Sequence, residues 1–110
     1  METRTQTIRR LNDELRTGRA PNGKIVITSG IQSLGAVAVA RLIEAIAAFD
    51  QFNDDNDPHS EHDFGALDFG GHRVFWKIDY YDLSLEFGSE DPANPDVTTR
   101  VMTIMLAEEY

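Results

Sequence analysis

The chain has 110 residues, 41% of them hydrophobic and none of them cysteine. That length and apolar content suit one domain, 1–110, with its own core, and the missing thiols exclude disulfides, thiolate metal sites and thiol catalysis. The net charge of −9 is polarised: residues 1–49 carry seven basic and four acidic side chains, residues 50–110 three basic and fifteen acidic ones.

The first element is a helix over about Thr5 to Thr17, with Ile8, Leu11 and Leu15 on a narrow apolar stripe and Gly18 as its stop. The RAPNG loop leads into Lys24–Thr28, a short β-branched run that predicts a central strand covered on both faces. Ser33 then caps a second helix running to about Phe49. Its composition is apolar almost all round, so most of its surface is expected to be buried against a sheet. Beyond it the period changes to two. Phe64–Phe69 and His72–Tyr81 flank Gly70-Gly71, the signature of a hairpin, with Val74, Trp76, Ile78 and Tyr80 sharing the inner face. Leu85 and Phe87 suggest a further short extended piece. Val97–Leu106 reads as a strand from its β-branched content, although Val97, Val101, Ile104 and Met105 also fit a helical stripe. The order α-β-α-β-β-(β)-β predicts an α+β domain, two helices packed on a mostly antiparallel sheet of about four to five strands.

No apolar run approaches the roughly 20 residues of a membrane span, and the N-terminal METRTQTIRRLNDELR lacks the apolar segment of a secretion signal. A soluble, cytoplasmic protein is expected, without membrane contact. Direct nucleic-acid binding is disfavoured, since the one candidate basic cluster is Arg4, Arg9, Arg10, Arg16 and Arg19 on the first helix.

The stretch from Asp50 to Asp63, DQFNDDNDPHSEHD, holds six carboxylates and two histidines without a Lys or Arg. It supports two readings. As a ligand set, His59, His62 and Asp63 supply nitrogen and oxygen donors at a spacing that suits zinc or manganese, with His72 or a loop Asp to complete the site. As a surface, Asp54, Asp55, Asp57, Glu61 and Asp63, joined by Glu90, Asp91 and Asp96 of the second acidic loop, present carboxylates to a basic partner. A calcium loop starting at Asn53 fails on register: its turn glycine falls on Pro58 and its bidentate glutamate on Phe64. No G-x-S-x-G elbow and no phosphate-binding glycine motif occurs, so neither catalytic residues nor a nucleotide cofactor are assigned.

The strings DNDPHSEHDFG, RVFWKIDYYD and FGSEDPANPDVTTRVMTIMLAEEY, with the earlier NDELR and GKIVITSGI, resemble the bacterial family catalogued as domain of unknown function 3768. The resemblance spans nearly the whole chain. It implies an alphaproteobacterial protein, often carried on plasmids or integrated elements near anti-restriction genes, and carries no assigned activity or catalytic residue. With the charge polarity it leads to the expectation of a non-enzymatic acidic interaction protein without a cofactor, a DNA mimic directed at a restriction or CRISPR complex. The partner would be a basic, nucleic-acid-binding protein surface. The alternative is a small metal-binding protein or metal-dependent enzyme centred on His59, His62 and Asp63. A homodimer through the apolar helix or an edge strand is compatible with both.

Overall fold

The computed structural model describes residues 1–20 and 23–110; Pro21 and Asn22 of the RAPNG loop lie outside the described residues. Its elements are α1 (Arg4–Arg16), β1 (Lys24–Ile27), α2 (Ser29–Gln32), α3 (Ala36–Ala47), β2 (Phe64–Phe69), β3 (His72–Tyr81) and β4 (Thr99–Leu106), followed by one 3₁₀ turn at Ala107–Glu109. The four strands form one sheet in the order β1-β4-β3-β2. β2 and β4 run antiparallel to β3, and β1 runs parallel to β4. The α+β expectation holds, with a mixed sheet.

α1 begins at a reciprocal cap. Thr3 Oγ1 accepts the Gln6 N–H at 3.1 Å and Gln6 Oε1 accepts the Thr3 N–H at 2.9 Å. It ends where Gly18 turns at φ 79°. Its buried positions are Ile8, Asn12, Leu15 and Arg16, so two polar residues share the face that Ile8 and Leu15 define.

The hairpin forms as expected, with Gly70 and Gly71 at φ 56° and 84°, the two positive angles that a two-residue turn between right-twisted strands requires. β3 turns Val74, Trp76 and Ile78 into the core beside Met102 and Ile104 of β4, and Leu15, Ile31, Leu42 and Ile46 cover them from the helices. Gly65 faces Trp76 across the β2–β3 pair. A Cβ there would come within 2.4 Å of the indole nitrogen, so the absent side chain makes room for the ring. The outer sheet face carries a smaller aromatic group, Phe64, Phe75 and Tyr110, with Phe64–Phe75 and Phe75–Tyr110 centroids 5.3 and 5.6 Å apart.

Four expectations are corrected. β1 is an edge strand, with Ile25 and Val26 40% and 47% exposed; a β-branched run fits an edge as well as a centre, and the central place belongs to β4, which buries Met102, Ile104 and Met105. Ser33 closes α2 instead of opening a long helix, because Gly35 takes φ 95° and separates α2 from α3. α3 buries only Leu42 and Ile46 fully, while Val37 is exposed; the helix lies along one face of a two-layer fold, and a layer can cover only one stripe of it. Leu85 and Phe87 form no strand, only an isolated bridge between Tyr81 and Gly88 beside them. β4, by contrast, is a strand as expected, starting at Thr99.

Candidate functional site

The strand directions bring the two acidic loops together. Phe64 at the start of β2 pairs with Lys77, and Thr99 at the start of β4 pairs with Tyr81 at the end of β3. The loop entering β2 (residues 50–63) and the loop joining β3 to β4 (residues 82–98) therefore emerge at the same end of the sheet. They carry six and five carboxylates and no Lys or Arg.

The first loop is organised from within. Asn53 Oδ1 accepts the N–H groups of Asp55 and Asn56 at 2.9 and 3.1 Å, and Asn56 Oδ1 accepts that of Asn53 at 2.9 Å, the side-chain mimicry of turns that favours Asn here. Asp57 is only 6% exposed. Its Oδ1 accepts the Glu61 and His62 N–H groups, both at 3.0 Å, which stabilises a backbone with Ser60 and His62 at φ 58° and 55°. Asp54 and Asp55 are left exposed.

α1 holds this loop in place. His62 lies flat on Phe52, centroids 3.8 Å apart, with Nδ1 2.9 Å from Asp13 Oδ1 and Nε2 3.7 Å from Asp57 Oδ2. Arg16, buried beside it, donates to Asp13 Oδ1 at 3.1 Å and to the carbonyls of Ile46, Ala47 and Phe49 at 3.1, 2.9 and 3.0 Å. A cation thus meets the negative end of α3 and binds the carbonyls at and just beyond its last turn.

A second, deeper group links both loops. Asn12 is fully buried. Its Nδ2 donates to the Glu61 carbonyl at 3.0 Å and to Tyr80 Oη at 2.7 Å, and its Oδ1 accepts Arg100 Nε at 2.9 Å. Tyr80 Oη donates to Glu61 Oε1 at 2.8 Å. Arg100 packs over the Tyr80 ring, 5.2 Å from its centroid, and donates to the Pro92 carbonyl in the second loop. Burial pushes the Tyr80 hydroxyl pKa up and the Arg100 guanidinium pKa down; burial, followed by the nearby Glu61 charge, raises that of Asp63. One amide on α1 therefore ties the first loop, through Glu61, to the second, through Arg100 and Pro92.

The carboxylates expected at a partner surface divide by this wiring. Asp54, Asp55, Glu90 and Asp96 are exposed. Glu61, Asp63 and Asp91 are half-buried, with Asp91 3.4 Å from Arg4. Asp57 is inside, where it builds the loop instead of facing a partner. Among the described residues no three His, Asp or Glu side chains are grouped to hold a metal ion; His62 is engaged by Asp13 and Asp57, and His59 is exposed. A recess of about 200 Å³ lies over Phe52 and His62, lined also by Arg9, Asn53, Asp54, Asp57 and Ser60.

Asn12, Arg16, Tyr80 and Arg100 carry the site without having been assigned to it from sequence. The available signal was polarity in the wrong place: Asn12 and Arg16 stand four and eight residues after Ile8, on the apolar stripe of α1.

No helix among the described residues is long and apolar enough to cross a membrane. No curated protein and no solved structure matches the chain. A family model described as "Protein of unknown function (DUF3768)" matches residues 27–109, which takes in every element after α1 except the start of β1, and the chain belongs to that family.

Proposed function

We propose that the chain is a non-enzymatic acidic interaction protein. Its carboxylate end docks in a basic protein groove of the kind that otherwise holds nucleic acid, and it acts as a DNA-mimic-like inhibitor of a host defence complex of the restriction or CRISPR type. The observation that carries this reading is the convergence of both acidic loops at one sheet end, with Asp54, Asp55, Glu90 and Asp96 exposed and no Lys or Arg in either loop. Three of the four α1 arginines are engaged within the fold: Arg16 is buried, Arg10 pairs with Glu2 and Glu14 at 2.8 and 3.1 Å, and Arg4 pairs with Asp91, while Arg9 lies beside the recess over Phe52 and His62. The mechanism is competition with phosphate for Lys and Arg, with electrostatically steered, salt-sensitive association.

The experiment is displacement of labelled duplex DNA from a purified restriction or CRISPR complex. The wild-type chain should displace DNA at about 50 mM salt and lose at least ~10-fold in potency by about 300 mM. The combined substitution Asp54→Asn, Asp55→Asn, Glu90→Gln and Asp96→Asn should weaken it at least ~10-fold at low salt. Equal potency of the wild type and this variant would remove the proposal.

A further inference from the structure

Beyond β3 the chain closes a small loop on itself. The Asp82 N–H donates to the Phe87 carbonyl at 2.8 Å, the Leu85 N–H to the Asp82 carbonyl at 3.1 Å, and the Ser89 N–H to the Tyr80 carbonyl at 3.0 Å. The Asp82 carboxylate accepts Ser84 Oγ at 2.9 Å and the Glu86 N–H at 3.1 Å. Inside this frame Leu83, Leu85 and Phe87 are 65%, 46% and 72% exposed. Leu85 sits at φ 62°, a left-handed conformation that strains a side chain of its kind. Such a loop spends its hydrogen bonds and some strain on holding three large apolar side chains in water. That arrangement is explained when the three are buried against another molecule.

Charge selects the occupant. The loop is bordered by Asp82, Glu86 and Glu90, with Asp91 paired to Arg4 of α1 beyond them, and no Lys or Arg occurs from Asp82 to Thr98. The same acidic loop of a second copy and an anionic lipid surface are both repelled from it. A protein pocket that is apolar inside and rimmed with Lys and Arg is complementary on both counts.

We infer that Leu83, Leu85 and Phe87 are the apolar anchor of the acidic interface, inserting into a basic-rimmed apolar pocket of the partner protein. The inference rests on the acidic-interaction reading and divides its labour: the carboxylates steer the encounter, and the anchor sets how long the complex lasts.

The test is binding kinetics by surface plasmon resonance, using the partner that immobilised wild-type chain retains from host extract and releases with salt. Two variants are compared with wild type: Leu83→Ser/Leu85→Ser/Phe87→Ser, and Asp54→Asn/Asp55→Asn/Asp96→Asn. The anchor variant should associate within about twofold of wild type and dissociate at least ~10-fold faster. The charge variant should associate at least ~10-fold more slowly. Phe87→Ala alone, which leaves the backbone frame intact, should raise dissociation at least ~3-fold, and a thermal midpoint equal to wild type shows that each variant is folded. If the charge variant slows association while the anchor variant dissociates like wild type, the anchor is overturned and the acidic interface stands. If the charge variant behaves as wild type, or no salt-released protein is retained, both fall.

Discussion

The two acidic loops share one end of the sheet and a similar charge, yet they are built in opposite senses. In the first, residues 50–63, the informative side chains point inward: Asp57 is buried on the loop's own Glu61 and His62 amides, and Glu61, His62 and Phe52 are half-buried and held by α1 or β3. In the second, residues 82–88 point their apolar side chains outward, and the Asp82 carboxylate holds the loop by accepting from Ser84 Oγ and the Glu86 N–H. Carboxylate count does not distinguish them; what each carboxylate binds does. An acidic run can be foundation in one place and display in another.

The largest expected effect comes from breaking the shared foundation. Asn12→Leu removes the partner of Arg100 Nε, Tyr80 Oη and the Glu61 carbonyl at a fully buried position, and should cost about 3 kcal/mol in urea unfolding. Arg16→Met should cost about 2 kcal/mol by the same measurement, since it strips the carbonyls of Ile46, Ala47 and Phe49 and the Asp13 carboxylate of a charged donor but leaves apolar volume over Phe52 and Trp76.

Leu85→Gly tests the opposite sense of the display loop. It should stabilise the chain by up to about 1 kcal/mol by relieving the φ 62° strain. The serine triple substitution at Leu83, Leu85 and Phe87 should change stability by no more than about 0.5 kcal/mol. A large loss from that variant would mean that the second loop is foundation as well.

The smallest effects are pH effects. Asp63 has a raised pKa in the folded chain because of burial and, next, Glu61. Its ionisation therefore favours the unfolded state, so the associated stability is present below the usual carboxylate range and is lost as pH rises through the folded value. Asp63→Asn should raise the thermal midpoint at pH 7 and leave it unchanged near pH 3. Tyr80 follows the same sign at the other end of the scale. Burial raises its pKa above the ordinary 10.0, so unfolding should become easier as pH climbs past that value, a slope that Tyr80→Phe removes.

Regular, local patterns carried most of the fold into the sequence. Gly70-Gly71 between two alternating runs, and the β-branched stretch of β4, specify pairing through short-range chemistry. β1 did not read correctly, because Ile25, Val26 and Ile27 look the same whether a second neighbour lies beside them or solvent does. α3 did not, because apolar composition gives a helix its stripe but not the number of layers available to cover it. At the site the charge runs were visible. The linkage was not, since Asn12 and Arg100 meet across 88 positions, and only the completed sheet brings β4 under α1. Asp57 shows the same limit in miniature: its neighbours Asp54 and Asp55 face solvent, and only the hydrogen bonds it accepts turn it inward.

Native-state hydrogen exchange on wild type and Asn12→Leu tests most directly whether the two loops form one surface through a single buried amide. The Glu61 and His62 amides, bound to Asp57, and the Asp91 and Ala93 amides, bound within the second loop, should lose protection together in the variant. The hairpin around Gly70-Gly71 should change no more than global stability requires. Loss of protection in one loop with wild-type exchange in the other would contradict the account.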